Sequence, residues 1–183
     1  MHRQDAIIET ELYINGQSCA ASTGEQYALY NPARPTELVG HAAAATVADV
    51  DRAVQVAHQA FPAWAALSYQ ERAEYLRRVA KALVEDPQDI DYRSRLFCRE
   101  HGKVLRETHI EISRLGERFQ QCADYADRLA ADERVVGPPF DTLISRQPRG
   151  VAALIVPWNW PLAILGAKLP QALMAGNTVV VKP

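Results

Sequence analysis

Cysteine is scarce in this sequence, and so is charge of any one sign. Cys19, Cys98 and Cys122 are the only three cysteines, they lie far apart, and none stands at metal-ligand spacing from the five histidines. That argues against a disulfide framework and a bound metal, and it suits a reducing cytosol. Twenty Lys and Arg against 22 Asp and Glu leave a formal charge of −2, with no long run of either sign. Nothing electrostatic therefore points to nucleic acid or to an anionic membrane surface. Asp5, Glu9 and Glu11 fall where a signal peptide needs a clean apolar core, so no secretory leader is expected.

A long apolar run is missing too. From Val151 to Gly176 the only charge is Lys168, yet Pro157, Asn159 and Pro161 break the stretch after six residues. A membrane-spanning helix needs about 20 apolar residues. A proline inside it costs about 3 kcal/mol, and an Asn in lipid has nothing to bond. A membrane hairpin is thus disfavoured, and buried α/β core is expected instead. Internal repeats, low-complexity tracts and a G-x-G-x-x-G turn are also absent, which removes the ordinary dinucleotide fingerprint.

What remains is the composition of a soluble globular protein: 183 residues, 48% hydrophobic and 23% charged, long enough for one domain with a sizeable core. Leu12 to Tyr30 reads as a small β-rich lead, with Asn15-Gly16 as a two-residue hairpin signal, a second turn at Ser22 to Glu25, and Asn31-Pro32 closing the section. A short strand is expected near Leu38 to Ala42. Four helical segments follow. Thr46 to Asp49 resembles a capping box, ahead of an inward stripe of Val47, Val50, Val54, Ala57 and Phe61. Ser68 to Glu71 is a full capping box before Ala73, Leu76, Ala80 and Leu83. Asp86-Pro87 opens the third helix, with Ile90, Leu96 and Phe97 inward and Gly102 as its stop. Leu115, Phe119, Cys122, Ala126 and Leu129 form one stripe on the fourth, which makes Cys122 a packed thiol rather than a nucleophile. Between Arg134 and Arg149, Leu143, Ser145 and Gln147 alternate with Ile144 and Arg146 as an edge strand would.

The last residues carry the chemistry. Val151 to Val156 and Thr178 to Val181 have the pattern of strands buried on both faces. Pro161 to Ala175 is helical in composition, with Pro170 expected to kink or divide it and Gly176 to stop it. Strand, helix and strand imply parallel pairing by a right-handed crossover. Ligands bind beyond the carboxyl ends of such strands, so Pro157 to Trp160 and Lys182 should converge on one crevice. An Asn there is a fixed donor to an oxygen that becomes negative, an indole is a flat wall, and a Lys donates to hydroxyls or phosphate. Each residue also has an ordinary reading: a packed Trp, a turn-forming Asn, a solvated Lys. Spacing alone supports a ligand crevice and no more.

The wording of the residues goes further. P-R-G-V, I-V-P-W-N-W-P and K-L-P-Q-A-L-M-A-G-N-T-V-V-V-K-P strongly resemble the aldehyde dehydrogenase superfamily, and L-Y-I-N-G-Q, S-T-G-E, Y-N-P-A, A-F-P-A-W-A-A-L-S-Y-Q-E-R-A and R-E-H-G-K-V-L match its N-terminal landmarks in order. The resemblance covers nearly the whole chain. It implies that Asn159 is the oxyanion-stabilising Asn of a Cys thiohemiacetal. It implies that Ile155, Val156, Pro157 and Trp158 line the cleft of NAD or NADP and that Lys182 contacts the adenine-side ribose. Trp160 would line the aldehyde tunnel, and Lys168 would lie near the active centre in support.

The fold so implied is α/β: an incomplete Rossmann-like cofactor-binding domain of the aldehyde dehydrogenase type, with an N-terminal helical and β-hairpin lead. Residues 1–133 would be its first part, 134–149 an excursion resembling an oligomerisation strand, and 150–183 the first βαβ unit. The family's nucleophilic Cys, general-base Glu and Gly-rich turn have no counterpart here. The expectation is therefore the N-terminal portion of an NAD(P)-dependent enzyme that oxidises a small-molecule aldehyde, cytoplasmic and homo-oligomeric in full length, and inactive as these 183 residues. The alternative is a non-catalytic half-domain that binds a partner or a nucleotide.

Overall fold

The computed structural model describes residues 7–183; Asp5, weighed above against a signal peptide, lies outside them. Two compact units divide the chain, Met1–Val56 with Val84–Arg114, and Ala57–Leu83 with Leu115–Pro183.

In the first unit, Asn15 and Gly16 both take positive φ, 56° and 73°, which is what a tight turn between right-twisted strands requires. They join β2 (Leu12–Ile14) to β3 (Gln17–Cys19) as an antiparallel hairpin. A separate three-stranded sheet has β5 (Arg34–Ala43) at its centre, antiparallel to β4 (Gln26–Asn31) and parallel to β1 (Ile8–Thr10). A Cβ on Gly40 would stand 2.3 Å from the Ile8 carbonyl oxygen, so only glycine lets β1 lie this close. The strand expected near Leu38 to Ala42 is thus the second half of a longer one. Asn31-Pro32 does not close the β section but begins the β4–β5 turn, with Asn31 Oδ1 accepting from Ala33 N at 3.0 Å. Pro35 lies within β5, where the pairing jumps from Asn31–Arg34 to Tyr30–Leu38, and the irregularity absorbs it.

Helix α1 (Val47–Ala65) starts at the expected box, Thr46 N donating to Asp49 Oδ2 at 3.0 Å and Asp49 N to Thr46 Oγ1 at 3.3 Å. Its inward face is the expected one only in part: Ala57 is buried and Phe61 half-buried. Val47, Val50 and Val54 are exposed, while Asp49 is buried. Val47, Val50 and Val54 share one side of the helix, which periodicity marks as inward; the Asp49 carboxylate, which also accepts from Ser22 N and Oγ, is turned inward instead. Helix α3 (Pro87–His101) follows the expectation, with Asp86 accepting from Gln88 N at 2.8 Å and Gly102 closing it at φ 73°. Ile90, Leu96 and Phe97 are half-buried. After it, Lys103 Nζ pairs with Glu111, whose side chain is fully buried on α4 (Leu105–Ala123).

The second unit packs Ala73, Leu76 and Ala80 of α2 (Tyr69–Val84) against Phe119, Cys122 and Ala123 of α4, Ala126 of α5 (Ala126–Ala130), and Met174. Ser68 and Glu71 make the full capping box: Glu71 Oε2 accepts from Ser68 N at 2.7 Å, and Ser68 Oγ accepts from Glu71 N at 3.2 Å. The Leu115-to-Leu129 stripe is inward, but it spans two helices parted at Asp124-Tyr125. Next come β6 (Glu133–Val135) and β7 (Thr142–Ile144), an exposed antiparallel hairpin. The expected extension through Gln147 is not strand: Ser145 to Gln147 lack a ladder partner, and alternation without pairing does not make a strand.

Strands β8 (Val151–Ile155) and β9 (Thr178–Lys182) pair in parallel. Two short helices join them, α6 (Pro161–Gly166) and α7 (Leu169–Met174), with Pro170 in the first turn of α7 and Gly176 at φ 88°. Neither strand is buried on both faces as expected. Leu154 and Val156 are buried, whereas Ala153 and Ile155 face outward, because among the described residues these strands pair only with each other and one face is uncovered. The fold is mixed α/β.

Candidate functional site

Parallel pairing decides where the candidate residues fall. Ile155 stands directly opposite Lys182, and the ladder runs one step further, with Val156 N donating to Lys182 O at 3.2 Å. Both strands therefore end at the same edge. From there Pro157 turns the chain, Trp158 to Trp160 form a bend, and Pro161 opens α6, with Ile164 N donating to Trp160 O at 3.0 Å. Proline suits that first turn because its missing N–H would have had no partner there.

The side chains divide by burial. Val156 is buried and supports the strand, whereas Ile155 is 71% exposed and Trp158 81%. Asn159, Trp160 and Lys182 are exposed, and the Lys182 ammonium donates to Pro183 O at 2.6 Å. The strand ends thus bring together an apolar wall, two indoles, a carboxamide and a cation. Such a set can hold the flat and hydroxylated parts of a nucleotide and can donate to an oxygen that gains charge. Lys168 is not part of this grouping. It stands exposed at the junction of α6 and α7, and its ammonium makes no hydrogen bond or ion pair among the described residues. No group of three or more His, Cys, Asp or Glu side chains among those residues could hold a metal.

The opposite, N-terminal ends of β8 and β9 are held by residues that sequence reasoning passed over. Asn177 Oδ1 accepts from Arg149 N at 2.7 Å and Gly150 N at 3.1 Å, while its Nδ2 donates to Ala172 O at 3.2 Å. Trp64 Nε1 donates to Leu173 O at 2.9 Å, and Arg72 Nε to Met174 O at 2.9 Å. Three successive carbonyls at the end of α7 are each met by a side chain, where an unpaired carbonyl would be costly. Arg72 is only 4% exposed, and burial pulls its pKa down. It also donates to the Ala65 and Leu67 carbonyls and lies over the Tyr69 ring. Thr178 Oγ1 donates to Ala57 O at 2.8 Å. One signal was legible: Arg72 is a charge beside Ala73 on the face of α2 that Leu76 and Ala80 mark as inward. Asn177 looked like half of a Gly-Asn helix stop, and that reading hid its clamp.

The three cysteines are all free thiols. Cys98 donates to the Lys103 carbonyl, and burial pushes the Cys122 thiol up to about 11. At neutral pH Cys122 is a neutral packing group. No helix among the described residues is long and apolar enough to cross a membrane.

A sequence model of the aldehyde dehydrogenase family matches residues 17–183. The glutarate-semialdehyde dehydrogenase of Pseudomonas putida is 36% identical across 100% of this chain, which covers 38% of that protein. An NAD-dependent aldehyde dehydrogenase from Sinorhizobium meliloti superposes with a TM-score of 0.87 at 27% identity, over 100% of this chain and 36% of that one. PnpE, solved in complex with nicotinamide adenine dinucleotide, gives a TM-score of 0.84 at 34% identity, over 96% and 36%. The chain spans little more than a third of the length of the relatives it matches.

Proposed function

The chain belongs to the aldehyde dehydrogenase family, and from that premise we propose that it is the N-terminal portion of an NAD(P)-dependent enzyme that oxidises an aldehyde to a carboxylic acid. The observation that carries the proposal is the parallel β8–β9 register, which sets Ile155 against Lys182 and sends Pro157 to Trp160 off the same edge. The donor set fits a nicotinamide cofactor: an exposed Ile155 and Trp158 for its flat, apolar surfaces and the Lys182 ammonium for ribose hydroxyls. Bound there, the cofactor supplies the hydride acceptor for the oxidation.

Within the proposal the roles are separate. Val156 anchors the strand and Pro157 stiffens the turn, so that the Asn159 carboxamide is fixed before reaction begins. When a thiolate adds to an aldehyde, the carbonyl oxygen gains negative charge, and the Asn159 N–H group donates to it. A prepositioned donor of this kind is worth about a hundred- to a thousandfold in rate. Trp160 screens the aldehyde from water. The exposed Lys168 takes a supporting part at most. The nucleophile and general base come from outside these 183 residues, since Cys122 is buried and neutral and the surroundings of Cys19 and Cys98 are not those of the family's nucleophile. The exposed β6–β7 hairpin supports homo-oligomers of the whole protein, and three free thiols suit a reducing cytosol.

The test is kinetic. In a protein that carries this chain ahead of the remaining family sequence, Asn159→Ala should lower kcat about a hundredfold or more while cofactor affinity holds. Lys182→Ala should weaken cofactor binding first. The chain alone should form no reduced nicotinamide with any aldehyde. Turnover by the isolated chain, or full kcat in Asn159→Ala, would refute the proposal.

A further inference from the structure

The second unit contains a pocket of about 600 Å³ that shares no residue with the strand-end site. That size lies within the range that takes small organic ligands, about 300–1,000 Å³. Its lining has a marked chemical bias. Arg118 of α4 and Arg146, after β7, bring two guanidinium groups, and Gln121, Gln147 and Gln171 bring carboxamides. No Asp or Glu side chain lines it. Buried Cys122 and Met174 and half-buried Leu129 give it an apolar floor, and the Cys122 thiol is uncharged there.

Neither arginine is neutralised. Among the described residues Arg118 Nη1 donates only to Gln121 Oε1, at 3.4 Å, and Arg146 Nη1 only to the Ala131 carbonyl, at 3.2 Å. Of the acids on the neighbouring turns, Asp124 accepts from Gln120 and Asp127 from Gln70. Two guanidinium groups beside an apolar floor, with no carboxylate to answer them, are matched by a ligand that carries a carboxylate on an apolar body. A guanidinium fork fits a carboxylate in two-point fashion.

We propose that this pocket binds a small organic anion, its carboxylate held by Arg118 and Arg146 and its apolar body lying on the floor of Cys122, Leu129 and Met174. The inference stands independently of the dehydrogenase reading. Calorimetric titration of the full chain with 2-naphthoate, 2-naphthylmethylammonium and inorganic phosphate tests it, with circular dichroism recorded on each protein. Naphthoate should bind saturably, one per chain, while the ammonium should not bind and phosphate should bind more weakly. Arg118→Gln and Arg146→Gln, both at exposed positions, should keep the parent's spectrum and each weaken naphthoate about tenfold. Equal affinity for the acid and the ammonium would overturn the proposal, as would variant affinities within about twofold of the parent. Phosphate binding as tightly as naphthoate would overturn the part played by the floor.

Discussion

Replacing Arg72 with Met would test how the βαβ unit is anchored. The methionine keeps the apolar stem of the side chain but removes the guanidinium that serves Met174 O at 2.9 Å and the Leu67 carbonyl; the Ala65 contact, at 3.4 Å, is marginal. Hydrogen bonds from a charged donor contribute about 1.5–3 kcal/mol each, and a buried acceptor left unpaired bears the full desolvation cost. Two good bonds lost at a residue only 4% exposed therefore predict a loss of about 3–5 kcal/mol. Arg72→Lys keeps the charge but reaches one carbonyl instead of a fork of them, and should lose about half as much. Urea unfolding followed by far-ultraviolet circular dichroism is the assay. With a slope of about 2 kcal/mol per molar, the Met variant should unfold about 2 M earlier and the Lys variant about 1 M earlier. A Met variant within about 0.3 M of the parent, or a Lys variant as weak as the Met one, would refute the reasoning.

Three further outcomes follow from other buried groups. Glu111→Gln removes the carboxylate from the nearly buried Lys103–Glu111 ion pair and should cost about 3–5 kcal/mol, whereas a loss below about 1 kcal/mol would show the pair to be solvated. Hydrogen bonds from Thr46 and Ser22 hold the Asp49 carboxyl well below the usual carboxylate range. Its stabilising contribution is then complete above the unfolded value near 4 and lost as pH falls toward the folded one. The gap in urea midpoint between parent and Asp49→Asn should be constant at neutral pH and narrow below about pH 4; a gap unchanged into strong acid would contradict this. Cys122, with its thiol raised to about 11 by burial, should resist iodoacetamide in the folded chain and react once urea unfolds it, as peptide mass spectrometry would read. Labelling of Cys122 as fast as Cys19 in the folded state would refute its burial.

How much of this was legible depends on how local each signal is. The Asn15-Gly16 turn, both capping boxes and the Asp86-to-Gly102 helix were readable because a few adjacent residues fix their backbone. Parallel pairing of β8 and β9 followed from the order strand, helix, strand. Faces were harder. Val47, Val50 and Val54 lie outward because Ser22, far away in sequence, binds Asp49, and no window along the helix contains that fact. The half-open faces of β8 and β9 were misjudged for a related reason: an apolar run records what a strand can bury, while exposure depends on what lies over it. The β section was closed too early at Asn31-Pro32, because a turn between two paired strands carries the same residues as an end to pairing. At the strand ends, the placement of Trp158, Asn159 and Lys182 at one edge was readable from the order of the elements, whereas the roles given to them and to Lys168 came from resemblance alone. Asn177 was missed because its partners are backbone N–H groups and a carbonyl, which leave no trace in residue identity, and Arg72 because its one signal was its place in line with Leu76 and Ala80.

Strands β8 and β9 run side by side in one direction, and an engineered disulfide measures that most directly. Ile155 and Lys182 are register partners with exposed side chains. Neighbouring strands lie about 4.8 Å apart, within the span a disulfide bridges. With the three native cysteines replaced, Ile155→Cys/Lys182→Cys should close under mild oxidation to an intramolecular disulfide, and Ile155→Cys/Thr178→Cys should not. Closure of the second pair in place of the first would place Lys182 at the far end from Asn159 and contradict the account.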